Sequence, residues 1–335
     1  MIDVCVDEDA IARLRARDHL DVTVTAEGAA DDEPAREHSP SSLAEQDVLF
    51  CSFLPTNHET MTRLKLVQLN SAGYTQLLGL DLPARGVRAC NASGVLDPAI
   101  AEWNIAMMIN LTRDLRQMIR NQDRGTWERQ SRYESEIRGS TVGIWGYGGL
   151  GRQTARLAKV MGQTVWVLTR NGANLRPNTF VVHGTGDVEG KLPERVFTIE
   201  QKDEFLSGLD FLILAMPQNS KTEGIVGEHE LRVLPDHAFL LNPARGRLVQ
   251  IDPLLSALDE RWIAGAALDT HCQYPMPADH PLWSKPNVIM TPHISGSTRG
   301  KHYLPRVWSI LTENIDRWLA GEPLLNELSQ RQLCE

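Results

Sequence analysis

The stretch GIWGYGGLGRQTARLAKVMG, residues 143–162, limits what the chain can fold into more than any other. An apolar run, STVGIWG, leads into glycines spaced G-x-G-x-x-G (Gly146, Gly148, Gly151), and a helical pattern opens directly behind them. The glycines permit a tight turn and a close backbone approach to a pyrophosphate, which the helix N-terminus then favours. In this strand–turn–helix setting the spacing predicts a dinucleotide-binding unit, with Gly149 and Leu150 part of the same turn. Such a unit needs a parallel sheet. Further short apolar runs follow (QTVWVLT, DFLILAMP, AFLLNPA, IAGAALD, NVIMTP), separated by helical patterns at 150–161, 222–234 and 252–260. Buried strands joined by crossover helices give an α/β class and a doubly wound Rossmann sheet, which binds ligands at the carboxyl ends of its strands.

The first hundred residues mix short apolar runs (DVLF, LKLVQL, GVRAC) with helix-like stretches and read as a second, smaller α/β unit. The acidic stretch 25–42 reads as a solvated loop or exposed helix end. Proline at a helix start and apolar residues at helical spacing predict one long helix from Pro98 to Gly125, able to bridge two domains. The connection 171–200 is long enough to read as a lid or surface insertion. After residue 296 comes a return helix. The expected division is 1–108, a substrate domain; 109–295, a cofactor domain; and 296–335, completing the first.

A net charge of −9 argues against nucleic acid or an anionic membrane as main partner. The start has neither a basic segment nor an apolar one of the secretory kind, and no apolar run is long enough to span a bilayer. Five scattered cysteines without a CxxC pair suit a reducing cytoplasm, and the ten histidines form no HxxxH, so no metal site is expected.

At the end of the strand after the glycine turn stand Thr169 and Arg170, where an NAD site usually carries a carboxylate. A guanidinium there favours the 2′-phosphate of NADP(H) over NAD(H), with NAD(H) still possible. Two further strand ends carry chemistry. Arg245, in NPARGRLV, offers a planar fork for a 2-keto carboxylate and its carbonyl. His293, in TPHISGS, reads as the only histidine at a strand end on the ligand side, a candidate general acid and base.

With these motifs in order, the chain resembles the D-isomer-specific 2-hydroxyacid dehydrogenase family over about residues 60–325. The resemblance rests on NSAGYTQL, IAEWNIAMMINLTR, VGIWGYGGLGR, LLNPARGRLV, GAALDT and HPLWSKPNVIMTPHISG. It implies a discontinuous flavodoxin-like substrate domain beside the Rossmann domain, an active site in the cleft between, and a homodimer. It also implies an NAD(P)-dependent, D-stereospecific oxidoreductase acting on a small 2-keto or 2-hydroxy acid (EC 1.1.1.-), here in the reductase direction. By motif, Ala72, Gly73 and the adjoining Tyr74 fall at the substrate carboxylate. Arg245 binds carboxylate and carbonyl, and His293 exchanges the proton. Pro217, Thr222, Ala244, Asp269, His293 and Gly296 fall along the cofactor.

One position departs from the pattern. In most of the family a glutamate five residues past the LD aspartate pairs with the catalytic histidine; here that place holds Tyr274. A phenol can orient an imidazole but lends it no charge, which lowers the histidine pKa and moves reduction to lower pH. Three readings follow: a reductase with Tyr274 orienting His293, or with Glu102 or Asp97 substituting from the facing domain; a formate- or phosphite-type dehydrogenase using NAD; and a non-catalytic cofactor-sensing protein like the family's corepressors. Arg245 and His293 argue against the third, because a sensor needs neither; the first is favoured.

Overall fold

A computed structural model of the chain describes residues 1–25 and 35–334; the central part of the acidic stretch, 26–34, lies outside the described residues. The chain divides into two compact units, Met1–Leu96 with Arg176–Val182 and Thr298–Glu335, and Asp97–Leu175 with His183–Ser297. Among the described residues no helix is long and apolar enough to cross a membrane.

The first unit holds a parallel sheet of β1 (Ile2–Asp3), β2 (Val48–Cys51), β3 (Leu66–Leu69) and β4 (Arg88–Cys90), in that order. Val24 adds a parallel bridge to Ile2 on the far side of β1. Counting that segment, the spatial order of the chain is second, first, third, fourth, fifth, which is flavodoxin-like. Neighbouring residues of β2 serve opposite faces, as strand geometry demands: Leu49 joins Leu43, Leu77 and Val67, whereas Phe50 joins Ile11 and Leu14. On the Phe50 side the helix Tyr303–Ala320 closes the core. Its Trp308 meets Phe50 edge-on at 5.3 Å and donates its indole N–H to the Cys5 carbonyl.

The second unit holds β5 (Thr141–Trp145), β6 (Thr164–Leu168), β7 (Arg195–Phe197), β8 (Phe211–Leu214), β9 (Phe239–Asn242), β10 (Gly265–Leu268) and β11 (Val288–Met290). All are parallel, in the order β11-β10-β9-β8-β5-β6-β7. Numbered from β5, this is the doubly wound order 3-2-1-4-5-6 with one strand added, and the chain reverses direction across the sheet at β5. The apolar runs are buried because helices cover both faces; β8 and β10 are buried along their whole length.

Two sequence expectations are corrected. The long helix is two, Asp97–Thr112 and Leu115–Asp123, both inside the second unit. Asp114 takes a left-handed conformation (φ 46) and breaks the ladder, a conformation that Asp tolerates better than most residues. The first unit accordingly ends at Leu96, ahead of this helix rather than within it.

The connection 171–200 is held down on both units rather than free like a lid. Residues 176–182 belong to the first unit, where Phe180 packs on the Trp308 cluster. There Asn326 donates its N–H to the Asn178 carbonyl at 2.8 Å and accepts from the Phe180 N–H at 3.1 Å. In the second unit the buried Arg152 donates to the carbonyls of Tyr147, Ala173, Asn174 and Asp187. The Tyr147 hydroxyl donates to Asp187 at 2.6 Å, and the N–H groups of Lys191 and Leu192 donate to the same carboxylate. Burial opposes ionisation of Asp187, but these donors outweigh it and hold the carboxyl below its usual range.

Candidate active site

The sequence-selected residues of the second unit fall at the carboxyl ends of its strands. Register fixes the row: Met290 pairs with Leu268 and Leu268 with Asn242, while Leu214 pairs with Trp145 and Trp145 with Leu168. One step beyond these residues the chain reaches the loops bearing His293, Asp269, Arg245, Pro217, Gly146 and Arg170. Arg245 and His293 thus follow β9 and β11, the two neighbours of β10, and Tyr274 lies in the loop after β10.

The glycine turn fits a dinucleotide. Gly146 has φ +103, and a Cβ there would meet the Ala215 carbonyl oxygen at 2.7 Å; at Gly151 it would meet the Gly146 oxygen at 2.3 Å. These residues must be glycine for the turn to nest between β5, β8 and its own helix, Gly149–Val160. Gly148 caps that helix and Leu150 lies in its first turn, where the leading N–H groups have no partner within the helix. Thr169 is half-buried and its hydroxyl accepts from the Asn171 N–H, while Arg170 is exposed.

Around Arg245 the decisive side chain is Asn242, buried at the end of β9. Its Oδ1 accepts from the N–H groups of Ala244 and Arg245, and its Nδ2 donates to the Arg245 carbonyl at 2.8 Å. The turn is thereby locked, and the guanidinium is exposed, with a single hydrogen bond to the Ala244 carbonyl and no carboxylate partner among the described residues.

His293 is held from below. Asp269 is 0% exposed, and its carboxylate accepts from the Thr291 and Ser295 hydroxyls and from the N–H groups of Ile294 and Ser295. Its carbonyl accepts the His293 N–H at 2.8 Å. These contacts impose a left-handed φ of 57 on His293, a conformation costly for histidine unless the surroundings determine it. Asp269 therefore fixes the backbone of the loop that carries the exposed His293 side chain. Gly296, expected along the cofactor, closes the same loop and is half-buried.

The description "D-isomer specific 2-hydroxyacid dehydrogenase, NAD binding domain" matches residues 105–295, more than half of the chain. The chain belongs to this family. Glyoxylate reductase of Thermofilum pendens is 29% identical over 86% of this dehydrogenase and 83% of its own length. Glyoxylate reductase of Thermococcus gammatolerans is 31% identical over 71% of this chain and 69% of its own. Among solved structures, a D-isomer specific 2-hydroxyacid dehydrogenase from Xanthobacter autotrophicus, in complex with NADPH and MES, superposes with a TM-score of 0.74. It is 25% identical and covers 99% of both chains. The chain is thus an NAD(P)-dependent dehydrogenase with the Rossmann fold.

In this dehydrogenase Tyr274, expected at the place of the family glutamate, lies beside the His293 ring. The Tyr274 hydroxyl accepts from the His271 N–H at 3.1 Å, and its ring lies 5.6 Å from the His293 ring, centroid to centroid, tilted by 49°. Burial raises the Tyr274 pKa above its ordinary value of 10.0. The phenol therefore stays neutral at physiological pH and supplies no charge to an imidazolium. Asp97 and Glu102, considered as substitutes from a facing domain, belong instead to the helix Asp97–Thr112 of the same unit as His293, and Glu102 is exposed.

His293 is not the only histidine on the ligand side: His271 lies in the loop after β10, and a lone histidine after an LD pair carries no spacing signal. It is 9% exposed, and its Nε2 lies 2.8 Å from the Thr291 carbonyl oxygen. Asn242 was missed for a similar reason, since its role depends on two backbone N–H groups folding back upon it.

Other residues expected along the cofactor hold up loops. Thr222 accepts from the Asn219 N–H at 2.8 Å and donates to the Pro217 carbonyl at 2.8 Å, which shapes the loop after β8; Ala244 is buried. In the first unit, Ala72 and Gly73 follow β3 in a loop whose form depends on Asn91: its Nδ2 donates to the Ala72 carbonyl at 2.8 Å. The N–H groups of Ala72 and Gly73 donate to no protein acceptor among the described residues. Tyr74 packs on the unit's core beside Leu77 rather than standing free.

Proposed function

We propose that the chain reduces a small 2-keto acid to the D-2-hydroxy acid with NADPH, taking NADH less well. The observation that carries this reading is the pairing of an exposed, anchored guanidinium at Arg245 with an exposed, anchored imidazole at His293, on the two strand ends that flank β10. The nicotinamide, when bound, supplies or accepts the hydride. Arg245 binds the substrate carboxylate by its planar fork and polarises the carbonyl. His293, protonated, gives its proton to the carbonyl oxygen, and takes it back in the oxidative direction. Asp269 fixes the loop that carries the imidazole and Asn242 the turn that carries the guanidinium. The N–H groups of Ala72 and Gly73 are donors for a carboxylate, which makes the first unit the substrate domain and the second the cofactor domain. Thr169 and Arg170 favour the 2′-phosphate.

We also propose a homodimer formed by the second unit, supported by Trp127, 95% exposed, and by the exposed Leu115 and Ile119 on the preceding helix. Cys51, Cys90, Cys272 and Cys334 are free thiols, in keeping with a reducing compartment such as the cytoplasm. The deciding experiment follows NADPH consumption with glyoxylate and hydroxypyruvate. Turnover that Arg245→Ala and His293→Ala abolish supports the reading; NAD-dependent oxidation of formate or phosphite without keto-acid reduction overturns it.

A further inference from the structure

Asp97 opens the helix Asp97–Thr112, and its carboxylate rests on the glycine turn: a Cβ built at Gly149 would lie 1.9 Å from its Oδ2. The position is fixed by packing. The helices Asp97–Thr112 and Gly149–Val160 lie side by side, and Asn104 donates to the Thr154 hydroxyl between them at 3.0 Å, both residues fully buried. Gly149 is the first residue of its helix, whose first turn carries no acidic residue of its own.

A helix start carries about half a positive charge, and this one is where a dinucleotide pyrophosphate docks. In this chain a carboxylate from a neighbouring helix already sits there. Asp97 is the first residue of its own helix, a place where a carboxylate is favourable but not required. Extra negative charge beside a doubly charged pyrophosphate opposes binding, and it does so equally for any dinucleotide, because the pyrophosphate is common to NADH and NADPH.

Resting on the reading of Gly146–Gly151 as the dinucleotide turn, we propose that Asp97 is an affinity-setting residue of the cofactor site. Its carboxylate occupies the helix end in place of the pyrophosphate and weakens the binding of both nicotinamide dinucleotides. Arg170 discriminates between the two cofactors; Asp97 sets how tightly either is held. Because the opposing charge acts on the bound molecule as a whole, it also speeds release of the spent cofactor.

Calorimetric titration of the full-length protein with NADPH and, separately, NADH tests this in the wild type, Asp97→Asn and Asp97→Thr. Either variant suffices if the other folds poorly. The expected result is a gain of roughly tenfold in affinity for both dinucleotides, with their ratio unchanged and the gain shrinking as salt is raised. Equal affinity in wild type and variants overturns the proposal. So does weaker binding in the variants, which would make Asp97 a ligand of the cofactor. If neither dinucleotide binds any of the three proteins, it is the reading of the turn that fails.

Discussion

The Nε2 of His271 lies 2.8 Å from the carbonyl oxygen of Thr291, two residues before His293. A carbonyl only accepts, so Nε2 is the donor in this contact. The Nδ1 of the same ring is buried and has no hydrogen-bond partner among the described residues. With its own N–H given to the Tyr274 hydroxyl, His271 ties the loop after β10 to the loop after β11. It is a positioning residue for His293. His271→Phe should lower kcat about tenfold with little change in KM, since it leaves a carbonyl unpaired beside the acid, worth about 1–3 kcal/mol. His271→Gln, which keeps a donor, should recover most of the loss. Equal losses in the two variants would assign the residue to packing alone.

Tyr274 is held neutral beside the His293 ring, so this side chain lends the imidazolium no charge. In the proposed reaction reduction needs the protonated form and should therefore fade as pH rises. Tyr274→Glu adds an opposite charge, raises the histidine pKa and should move the alkaline limb of the kcat/KM profile up by about one pH unit. An unmoved limb means that this side chain does not tune His293.

Arg170 is exposed at the end of β6, and no ion pair involves it among the described residues. Arg170→Ala should weaken NADPH by roughly 10- to 100-fold, the worth of a charge-assisted contact to phosphate, while leaving NADH nearly unchanged. Binding titrations with both cofactors check this, and parallel losses would remove the basis for preferring NADPH.

The Asp187 carboxylate gathers Tyr147, Lys191 and Leu192. Since its folded pKa is depressed, its contribution to stability is full above the pKa of the unfolded carboxyl, near 3.8, and is lost as pH falls through the lower folded value. Asp187→Asn should lose about 1–3 kcal/mol at neutral pH and make 183–192 more sensitive to limited proteolysis. Unchanged cleavage would show that Arg152 alone holds the segment.

Legibility in the sequence followed the range of the interactions. β5, β6, β8, β9, β10 and β11 were legible as apolar runs, because a strand buried on both faces needs nothing else. β7 was not: it is three residues long, two of them exposed, and it sits at the sheet edge. β1 and the Val24 bridge escaped notice because two paired residues leave no periodicity. The helix break at Asp114 depends on a single backbone angle, which no pattern in a helix-forming stretch announces. At the candidate site, Arg245 and His293 stand out by residue type and place, while Asn242, Asp269 and His271 act through contacts with backbone groups that no spacing announces. Asp269 was noticed for its motif, but not as the support beneath His293.

The chain passes between its two units at residues 96, 175, 182 and 297. During synthesis this ordering has a cost. The sheet of the first unit emerges early, but the Trp308 that covers Phe50 is made some 250 residues later. Until then the apolar face of that sheet is open to water and to other chains, whereas the second unit has all of its strands once residue 290 has left the ribosome. Folding should thus proceed from the middle of the sequence outward, with the N-terminal unit completing last. Chains stopped before Tyr303 should be captured by chaperones or aggregate even though their Rossmann sheet is whole.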